Sequence, residues 1–459
     1  MSASEEQVVQ LFEAAKKVYP REIKGRFTSL SKLATVVLLG LFYGVPWLMW
    51  DGRQAFLFDL PARKFHLLGL TLWPQDFPYL ALLLIIAALS LFFFTALAGR
   101  LWCGFACPQT VWTEAFIWME QWTEGTRSQR MKLDKAPMSL SKLRKKASKQ
   151  FLWIAFSLWT GLSFVGYFTP IRPLVADVAM LSIGGWTLFW ILFYGFATYG
   201  NAGYMREQVC KYMCPYARFQ SAMFDKDTLI ISYDEQRGEP RGSRSRKADR
   251  GTRGLGDCID CQLCVQVCPT GIDIRDGLQY DCIACAACID ACDSIMDKMN
   301  YPRGLVRYTT YNAVHGKQTH ILRPRMLVYA TLLTILIAGL VASMVTRTPI
   351  ILDVLRDRNS LFREVGADMI ENTYTLKVIN QRNEERVYRI DVTGIDGLVA
   401  DRLADPVVVE GGSVLSLPVT LRAPRSEARG VSDIEFRITD LNEISDSLVE
   451  DSRFVGPFQ

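Results

Sequence analysis

The chain has 459 residues, half of them hydrophobic, and a formal net charge of +5. This apolar content exceeds what one soluble core needs and indicates several units of different character. The small positive excess is explained by basic loops beside membrane spans, so the sequence predicts no nucleic-acid partner.

The N-terminal segment, residues 1–32, is charged and amphipathic. It lacks the short apolar core of a cleavable signal peptide. We therefore expect the N-terminus to stay on the cytoplasmic side of a membrane.

Five windows without any charge follow, each long enough for a bilayer core of about 30 Å. Because they have no polar face, they predict transmembrane helices rather than buried helices of a soluble enzyme. The predicted spans are Leu33–Trp50, Phe77–Ala98, Phe151–Thr169, Val178–Met205 and Met326–Thr346.

The distribution of Lys and Arg predicts how the chain is oriented in the membrane. These residues are concentrated in 1–32 and in the loop 100–150, and they are sparse in 51–76 and 170–177. Since basic residues favour the cytoplasmic side, the loop 100–150 and the segment 206–325 are expected in the cytoplasm. The C-terminal segment, 347–459, is then expected in the periplasm of a bacterial inner membrane.

A short cysteine motif, C-x3-C-P, occurs twice, each time just after a predicted span. Its members are Cys103, Cys107, Cys210 and Cys214. Residues i and i+4 share a helix face, so each motif is expected to present two thiols side by side, and the repeat predicts that both pairs meet. Soft thiolates favour Cu(I), zinc or iron–sulfur over hard cations, whereas inert buried cysteines are the simpler alternative.

Charged and thioether side chains lie near these motifs in sequence. Arg100, Arg206 and Lys211 are expected to lower the pKa values of the thiols. Met205 and Met213 are further candidate ligands, although packing is the simpler role for both.

Residues 258–292 hold the most specific pattern, C-x2-C-x2-C-x3-C repeated once. In this spacing the fourth cysteine of each run ligates the other cluster. The sequence therefore predicts two [4Fe–4S] clusters. We expect Cys258, Cys261, Cys264 and Cys292 to hold the first, and Cys268, Cys282, Cys285 and Cys288 to hold the second.

Zinc would favour well-separated C-x2-C pairs, and disulfides are disfavoured in a reducing compartment. The pattern is that of the bacterial two-cluster ferredoxin. Pro269 is in its usual place, and Asp293 stands where a second proline is common.

The three histidines, His66, His315 and His320, lie outside every predicted span. A haem held by two intramembrane histidines is therefore excluded. The chain also shows no GxGxxG segment between a strand and a helix and no P-loop, so nicotinamide, FAD and ATP sites have no support.

The tail, 347–459, alternates apolar and polar residues in short runs with turn residues between them. This pattern predicts a small antiparallel β-sandwich of immunoglobulin-like type, with a docking or spacing role. The predicted fold is thus a five-helix transmembrane bundle with a cytoplasmic 2[4Fe–4S] ferredoxin domain and a periplasmic all-β domain.

The order of these features resembles the CcoG family, also called FixG or RdxA. The resemblance rests on the five spans, the two C-x3-C-P motifs, the connector "YDEQRGEPRG", the paired cluster motifs and the β tail. It implies a bacterial inner-membrane protein that reduces Cu(II) to Cu(I) during assembly of the cbb3-type cytochrome oxidase. Copper would then be held at Cys103, Cys107, Cys210 and Cys214.

The resemblance also implies partners, namely a cytoplasmic electron donor, a copper chaperone or transporter and oxidase assembly factors. A homo-oligomer stays open. Two other functions stay open as well: a quinol-linked membrane electron carrier without copper, and an assembly scaffold that acts through its β domain.

Overall fold

The structure is a computed structural model that describes residues 17–246, 254–357, 360–366, 368–382, 384–401, 403, 405–443 and 447–458. The chain divides into two compact units, residues 1–337 and 338–459. The first is mainly helical and holds all twelve cysteines, whose thiols are free of disulfides. The second holds the end of the last helix, up to Val345, and a β unit that follows it.

The helices of the described chain are numbered in chain order. They are α1 (Arg26–Gly44), α2 (Phe77–Ala98), α3 (Leu101–Phe105), α4 (Pro108–Glu124), α5 (Arg127–Lys135), α6 (Leu140–Val165), α7 (Ile171–Ala179), α8 (Gly185–Thr198), α9 (Pro215–Met223), α10 (Glu235–Gly238), α11 (Leu263–Val267), α12 (Ala287–Met299), α13 (Tyr311–Val314) and α14 (Pro324–Val345). Two π-helical segments, Tyr199–Met205 and Val209–Met213, lie between α8 and α9.

The strands of the helical unit are short. They are β1 (Met49–Trp50), β2 (Arg53–Gln54), β3 (Phe56–Asp59), β4 (Lys64–Leu67), β5 (Leu70–Leu72), β6 (Ile230–Tyr233) and β7 (Val306–Thr309). The first five form two small antiparallel sheets between α1 and α2, and β6 pairs with β7 beside the cluster motifs.

Three of the predicted spans are confirmed as helices long and apolar enough to cross a membrane. They are Arg26–Trp47, Pro74–Ala98 and Pro324–Val345, with mean hydropathies of 1.5, 2.8 and 2.2. Such helices make this a membrane protein. The predicted count of five spans and the orientation stay predictions.

The helices differ in their bounds from three of the predicted spans. The first begins seven residues earlier, at Arg26, and ends before Met49 and Trp50, which form strand β1. The third begins at Leu140, because the basic stretch before Phe151 is itself helical. The fourth is broken between α7 and α8, where Gly184 and Gly185 follow a turn, and it continues from α8 into a π-helical segment.

Helices α6 and α8 pack closely through glycine. A Cβ atom at Gly161 would lie 2.3 Å from the carbonyl oxygen of Ile191, so the two backbones touch at this point. Small residues permit such close approach between membrane helices, where packing rather than hydrophobic burial drives association. This pairing brings the π-helical segment after α8 against α4 and α6.

The second unit is a two-layer antiparallel sandwich, which confirms the all-β prediction for the tail. Its strands are β8 (Ile350–Arg356), β9 (Arg363–Val365), β10 (Met369–Asn380), β11 (Arg386–Thr393), β12 (Val399–Asp401), β13 (Val407–Val409), β14 (Val414–Pro424), β15 (Val431–Asp440) and β16 (Ser447–Val455). One sheet has the order β12-β14-β10-β8, with β9 also paired to β10, and the other has the order β13-β11-β15-β16.

The alternation seen in the sequence is also the burial pattern. Along β10, residues from Ile370 to Val378 alternate between buried and partly exposed. The core between the sheets includes Tyr374 and Phe436, whose rings meet edge to face at 5.5 Å. Asn372 joins the sheets, because its side chain donates to the carbonyl of Val455 and accepts from its N–H.

The sandwich core generates one prediction. Phe436 is fully buried, so Phe436→Ala should lower the free energy of unfolding of the β unit by about 3–5 kcal/mol. Hydrogen exchange of the peptides covering β10 and β15 in the full chain measures this effect. The control is Val449→Ala at a 41% exposed position on β16, which should change exchange little. Equal effects of the two substitutions would contradict the assigned core.

Candidate functional site

The two C-x3-C-P motifs share the same local structure at their second cysteine. Cys107 and Cys214 are the N-cap residues of α4 and α9, and the proline that follows each one occupies the first helical position. Cys103 lies on the short helix α3 and Cys210 lies in the second π-helical segment. The expectation of one continuous helix per motif was wrong, because proline at the first position of a helix starts a new helix there.

The structure brings the two motifs together. Burial raises the pKa of Cys103 most, and Cys107, Cys210 and Cys214 also act on it, so all four thiols belong to one region of the structure. Gln109, two residues after Cys107, donates its side-chain amide to the carbonyls of Asn201 and Arg206, at 2.9 and 3.1 Å. The helix that starts at the first motif thus holds the segment that leads into the second.

The thiols of this group are not activated by nearby charge in the way the sequence predicted. Burial raises the pKa of Cys103 to about 12 and that of Cys210 to about 11, and Arg100 opposes both shifts only in part. Arg206 and Lys211 are engaged elsewhere, with Glu120 at 2.8 Å and Asp281 at 3.0 Å. A metal ion that binds these thiols must therefore displace protons.

Two further observations bear on a metal at the motifs. Cys103 donates to the side-chain oxygen of Gln220 at 3.2 Å, and Met213 is 58% exposed. Among the described residues, no three His, Cys, Asp or Glu side chains are grouped closely enough to hold one metal ion. The two motifs thus lie in the same region of the helical unit, whereas a single four-thiol site and copper at these thiols stay predictions.

The eight remaining cysteines separate into the two predicted quartets. Cys258, Cys261, Cys264 and Cys292 line one cavity of about 20 Å³. Cys268, Cys282, Cys285 and Cys288 line a second of the same size, which Cys264 also touches. Four thiols around each of two adjoining cavities are the donor set that an iron–sulfur cluster requires, so the residues fit this cofactor.

The two cysteine loops, which begin at Cys258 and at Cys282, share a backbone conformation that the spacing of the cysteines does not reveal. Asp260 and Gln262 in the first loop, and Ala284 and Ala286 at the matching positions of the second, all have φ between 51° and 62°. This left-handed conformation is uncommon for residues other than glycine and persists where the surroundings enforce it. The second and fourth residues after the first cysteine of each loop are thus equivalent in structure as well as in spacing.

The first thiol motif lies directly against the second cysteine loop. A Cβ atom at Gly104 would lie 2.8 Å from the carbonyl oxygens of both Ile283 and Ala284. Glycine is therefore the residue that permits this approach, because any side chain would displace the loop.

The buried side chain of Arg100, just before the first thiol motif, connects the second cysteine loop with helix α9, which follows the second thiol motif. Its guanidinium donates to the carbonyl oxygens of Tyr280 and Ala217, and it lies 3.5 Å from the carbonyl oxygen of Cys282. Arg100 thus fixes the position of one cysteine loop relative to both thiol motifs.

A network of buried charges supports the second motif from the other side, and the sequence did not predict it. Glu120, on α4, is fully buried and pairs with Arg206 at 2.8 Å and with Arg130 at 3.2 Å. Lys149, from α6, pairs with Glu124 at 2.8 Å. Arg206 has φ of 40°, so this ion pair holds a turn in an unusual conformation just before Cys210.

The histidines lie where the sequence placed them, away from the spans. His66 is in β4 and contacts Arg53 and Thr71 at 2.9 and 3.0 Å. His315 and His320 are exposed. Asp293, at the position of the missing second proline, accepts from the N–H of Gly304 at 2.9 Å.

Comparison with known proteins gives three family matches. Residues 205–311 match a 4Fe–4S dicluster domain, and residues 80–125, which include the first thiol motif, match a 4Fe–4S binding domain. Residues 340–457 match the IG-like fold at the C-terminus of FixG.

Curated relatives cover most of the chain. The nitrogen fixation protein FixG of Rhizobium meliloti is 38% identical over 84% of this chain and 80% of its own length. The chain belongs to the FixG/RdxA family. Protein RdxB and protein RdxA of Cereibacter sphaeroides are 39% and 38% identical, over 89% and 90% of this chain and 88% of each relative.

A FixG-related protein from Vibrio parahaemolyticus is among the solved structures that match. It is 35% identical, covers 24% of this chain and 97% of its own, and has a TM-score of 0.21. The family and domain matches together make the chain an iron–sulfur oxidoreductase of the FixG/RdxA family, as the sequence resemblance implied.

The buried charge network generates a prediction. Burial raises the pKa of Glu120, but the charge of Arg206 and its hydrogen bond outweigh burial and lower it overall. A carboxyl with a lowered pKa contributes stability above its ordinary pKa of about 4, and this contribution is lost as the pH falls through its folded value. Thermal unfolding of the helical unit should therefore become easier as the pH falls below about 4.

Glu120→Gln tests the same network at neutral pH. Removal of one partner of a buried ion pair should lower stability by about 3–5 kcal/mol and should flatten the acid dependence. The control is Glu235→Gln, since Glu235 is exposed and should have little effect. Unchanged stability of Glu120→Gln at pH 7 would contradict the supporting role of the network.

Proposed function

We propose that the protein reduces Cu(II) to Cu(I) at the two thiol motifs, with copper as its substrate. In this proposal, Cys258, Cys261, Cys264 and Cys292 hold one [4Fe–4S] cluster, and Cys268, Cys282, Cys285 and Cys288 hold the other. When bound, these clusters would supply single electrons. The product would serve assembly of a cbb3-type cytochrome oxidase, a role that the family resemblance supports.

The observation that carries this proposal is the contact between the first thiol motif and the second cysteine loop. Gly104 directly follows Cys103, and its backbone touches the carbonyls of Ile283 and Ala284, which lie between Cys282 and Cys285. The segment that carries the motif thiols and the loop that carries two of the cluster thiols therefore touch through backbone atoms. No side chain lies between them at this point. This arrangement suits transfer of one electron to an ion held at the motifs.

The burial of the two cysteine quartets favours a direction for this transfer. Cys261, in the first quartet, is exposed, whereas no cysteine of the second quartet is exposed, and all eight lie within the described chain. The first quartet therefore offers the contact for an electron donor from outside. The second quartet, which includes Cys282 and Cys285, faces the thiol motifs.

The motif thiols suit the reduced ion better than the oxidised one. Thiolate is a soft ligand and favours Cu(I), so bound product is stabilised relative to the substrate ion. Because burial raises the pKa values of Cys103 and Cys210, these thiols are protonated at neutral pH in the absence of metal. Each thiol that binds copper releases a proton, and acid should favour release of the ion.

The five-span topology completes the proposal. With the cysteine domain on the cytoplasmic side, both thiol motifs would lie at the inner membrane edge. The β domain would then be periplasmic, where it could contact a copper chaperone, a copper transporter or the oxidase. The orientation predicted from Lys and Arg, together with the charged helices in the loop 100–150, supports this arrangement.

Replacement of the four motif cysteines by serine tests the proposal. Serine keeps the size of the side chain but is a poor ligand for a soft ion. The variant should retain both clusters, as measured by iron content and by the EPR signal after dithionite reduction. Its steady-state reduction of Cu(II) should fall by at least about tenfold.

The control is Cys261→Ser, which should lose cluster signal while the copper-binding thiols stay intact. Undiminished copper reduction in the fourfold serine variant would contradict the proposal and would leave these cysteines with a structural role only. Quinol-dependent cluster reduction without any copper reduction in the unmodified protein would favour the electron-carrier alternative.

A further inference from the structure

Helix α6 begins about three turns before the predicted third span, and these turns expose large apolar side chains. Leu140 and Leu143 are 82% and 54% exposed, and Met138, just before the helix, is 79% exposed. Apolar side chains that are exposed together mark a surface that another molecule covers. The proposed reaction gives this surface no role.

The exposed apolar residues of α6 form one stripe along the helix. At about 100° per residue, Leu140, Leu143, Phe151, Ile154 and Leu158 fall within about 80° of the helix circumference. Each of the five is at least 40% exposed. The stripe therefore runs without a break from the start of the helix into the predicted third span, where lipid is the expected neighbour.

The opposite face of the same turns is paired inside the protein. By the same periodicity, Lys142, Lys146 and Lys149 lie across the helix from the stripe. Lys142 donates to the carbonyl oxygen of Ala136 at 2.6 Å. Lys146 and Lys149 pair with Glu124 at 3.0 and 2.8 Å. These contacts hold the basic inner face against α4 and leave the stripe on the outside.

The outer side of this region carries positive charge that the region itself does not neutralise. Its exposed cations are Lys132, Lys135, Arg144 and Lys145. The only carboxylate between residues 125 and 150 is Asp134, which pairs with Lys17 and Lys146. An apolar stripe with cations beside it is thus presented outward.

We propose that α5 and the start of α6 form a surface for anionic phospholipids. The cations bind the phosphate groups, while Leu140 and Leu143 lie among the acyl chains. Basic and apolar side chains on one surface fit the membrane interface, where both kinds of partner are present. A nucleic acid or an acidic protein would satisfy the cations alone, whereas the continuity of the stripe with the predicted span favours lipid.

Bound lipid should also stabilise the helices that support the second thiol motif. Lys146 and Lys149, on the inner face of α6, pair with Glu124 of α4. One turn earlier on α4, Glu120 pairs with Arg206 at 2.8 Å, just before Cys210. A ligand that binds only the folded protein raises its stability by mass action, so thermal unfolding reports the binding of lipid.

Tryptophan emission follows this unfolding selectively, because all eleven tryptophans lie in the helical unit. The full chain in neutral detergent is heated with dioleoylphosphatidylglycerol or dioleoylphosphatidylcholine. Retained lipid is counted by native mass spectrometry from equal mixtures of the two. The test variant combines Lys135→Gln, Arg144→Gln and Lys145→Gln. The matched control combines Arg389→Gln, Arg429→Gln and Arg437→Gln, which remove the same charge from exposed positions of the β unit.

The unmodified chain should retain phosphatidylglycerol about threefold or more over phosphatidylcholine, and its unfolding temperature should rise more with the anionic lipid. The test variant should lose at least about half of this preference, because three of the four exposed cations are gone. Its unfolding temperature in phosphatidylcholine should stay that of the unmodified chain, and the control should keep the full preference. Equal retention of the two lipids by the unmodified chain, or an undiminished preference in the test variant, would overturn the proposal.

Two further arms separate lipid from other anions. Leu140→Ser combined with Leu143→Ser keeps every cation and should still weaken the retention of phosphatidylglycerol. Inorganic phosphate and polyuridylate, which have no acyl chains, should raise the unfolding temperature less than phosphatidylglycerol does. Unchanged retention in the serine variant, or an equal rise with either of these anions, would overturn a lipid surface in favour of a general anion site.

Discussion

The close approach of Gly104 to the carbonyls of Ile283 and Ala284 is the contact on which the arrangement of the site depends. It requires a residue without a side chain inside the first motif, and it holds that motif against the loop that carries Cys282 and Cys285. Arg100 strengthens the same junction, since its guanidinium binds carbonyls on both sides. A backbone contact of this kind leaves little freedom in the distance between the thiol motifs and the cysteine domain.

The second motif is positioned by a different kind of interaction. Its lead-in segment is π-helical and ends at Arg206, which has a positive φ. Both π-helical turns and residues with such strained backbones are often found at functional sites. Glu120 and Gln109, both on α4, hold this segment by an ion pair and by hydrogen bonds. Helix α4, whose N-cap is Cys107, thus positions both thiol pairs.

The sequence predicted those parts of the fold in which periodicity and spacing act locally. Helix α2, Phe77–Ala98, has the bounds of the predicted apolar run, which ends sharply at Gly99, and the β tail follows its alternating pattern. The cysteine quartets meet at two cavities because their spacing repeats.

The remaining features depend on contacts between distant residues, which a single sequence does not encode locally. The break between α7 and α8, the turn at Arg206 and the burial of Glu120 all require tertiary packing. For the same reason the pKa shifts of the thiols were predicted in the wrong direction. Arg206 and Lys211 are near the cysteines in sequence, but they pair with carboxylates, and burial then dominates.

The proposed function requires that the cysteine domain and the thiol motifs form one path for single electrons, which ends at copper. A single-turnover electron count tests it most directly. Holoprotein with both clusters reduced, and with free reductant removed, is mixed with excess Cu(II) without oxygen, and oxidised clusters and sulfur-bound Cu(I) are counted together. One sulfur-bound Cu(I) is expected for each cluster oxidised. Clusters that stay reduced, or that become oxidised without forming sulfur-bound Cu(I), would contradict it.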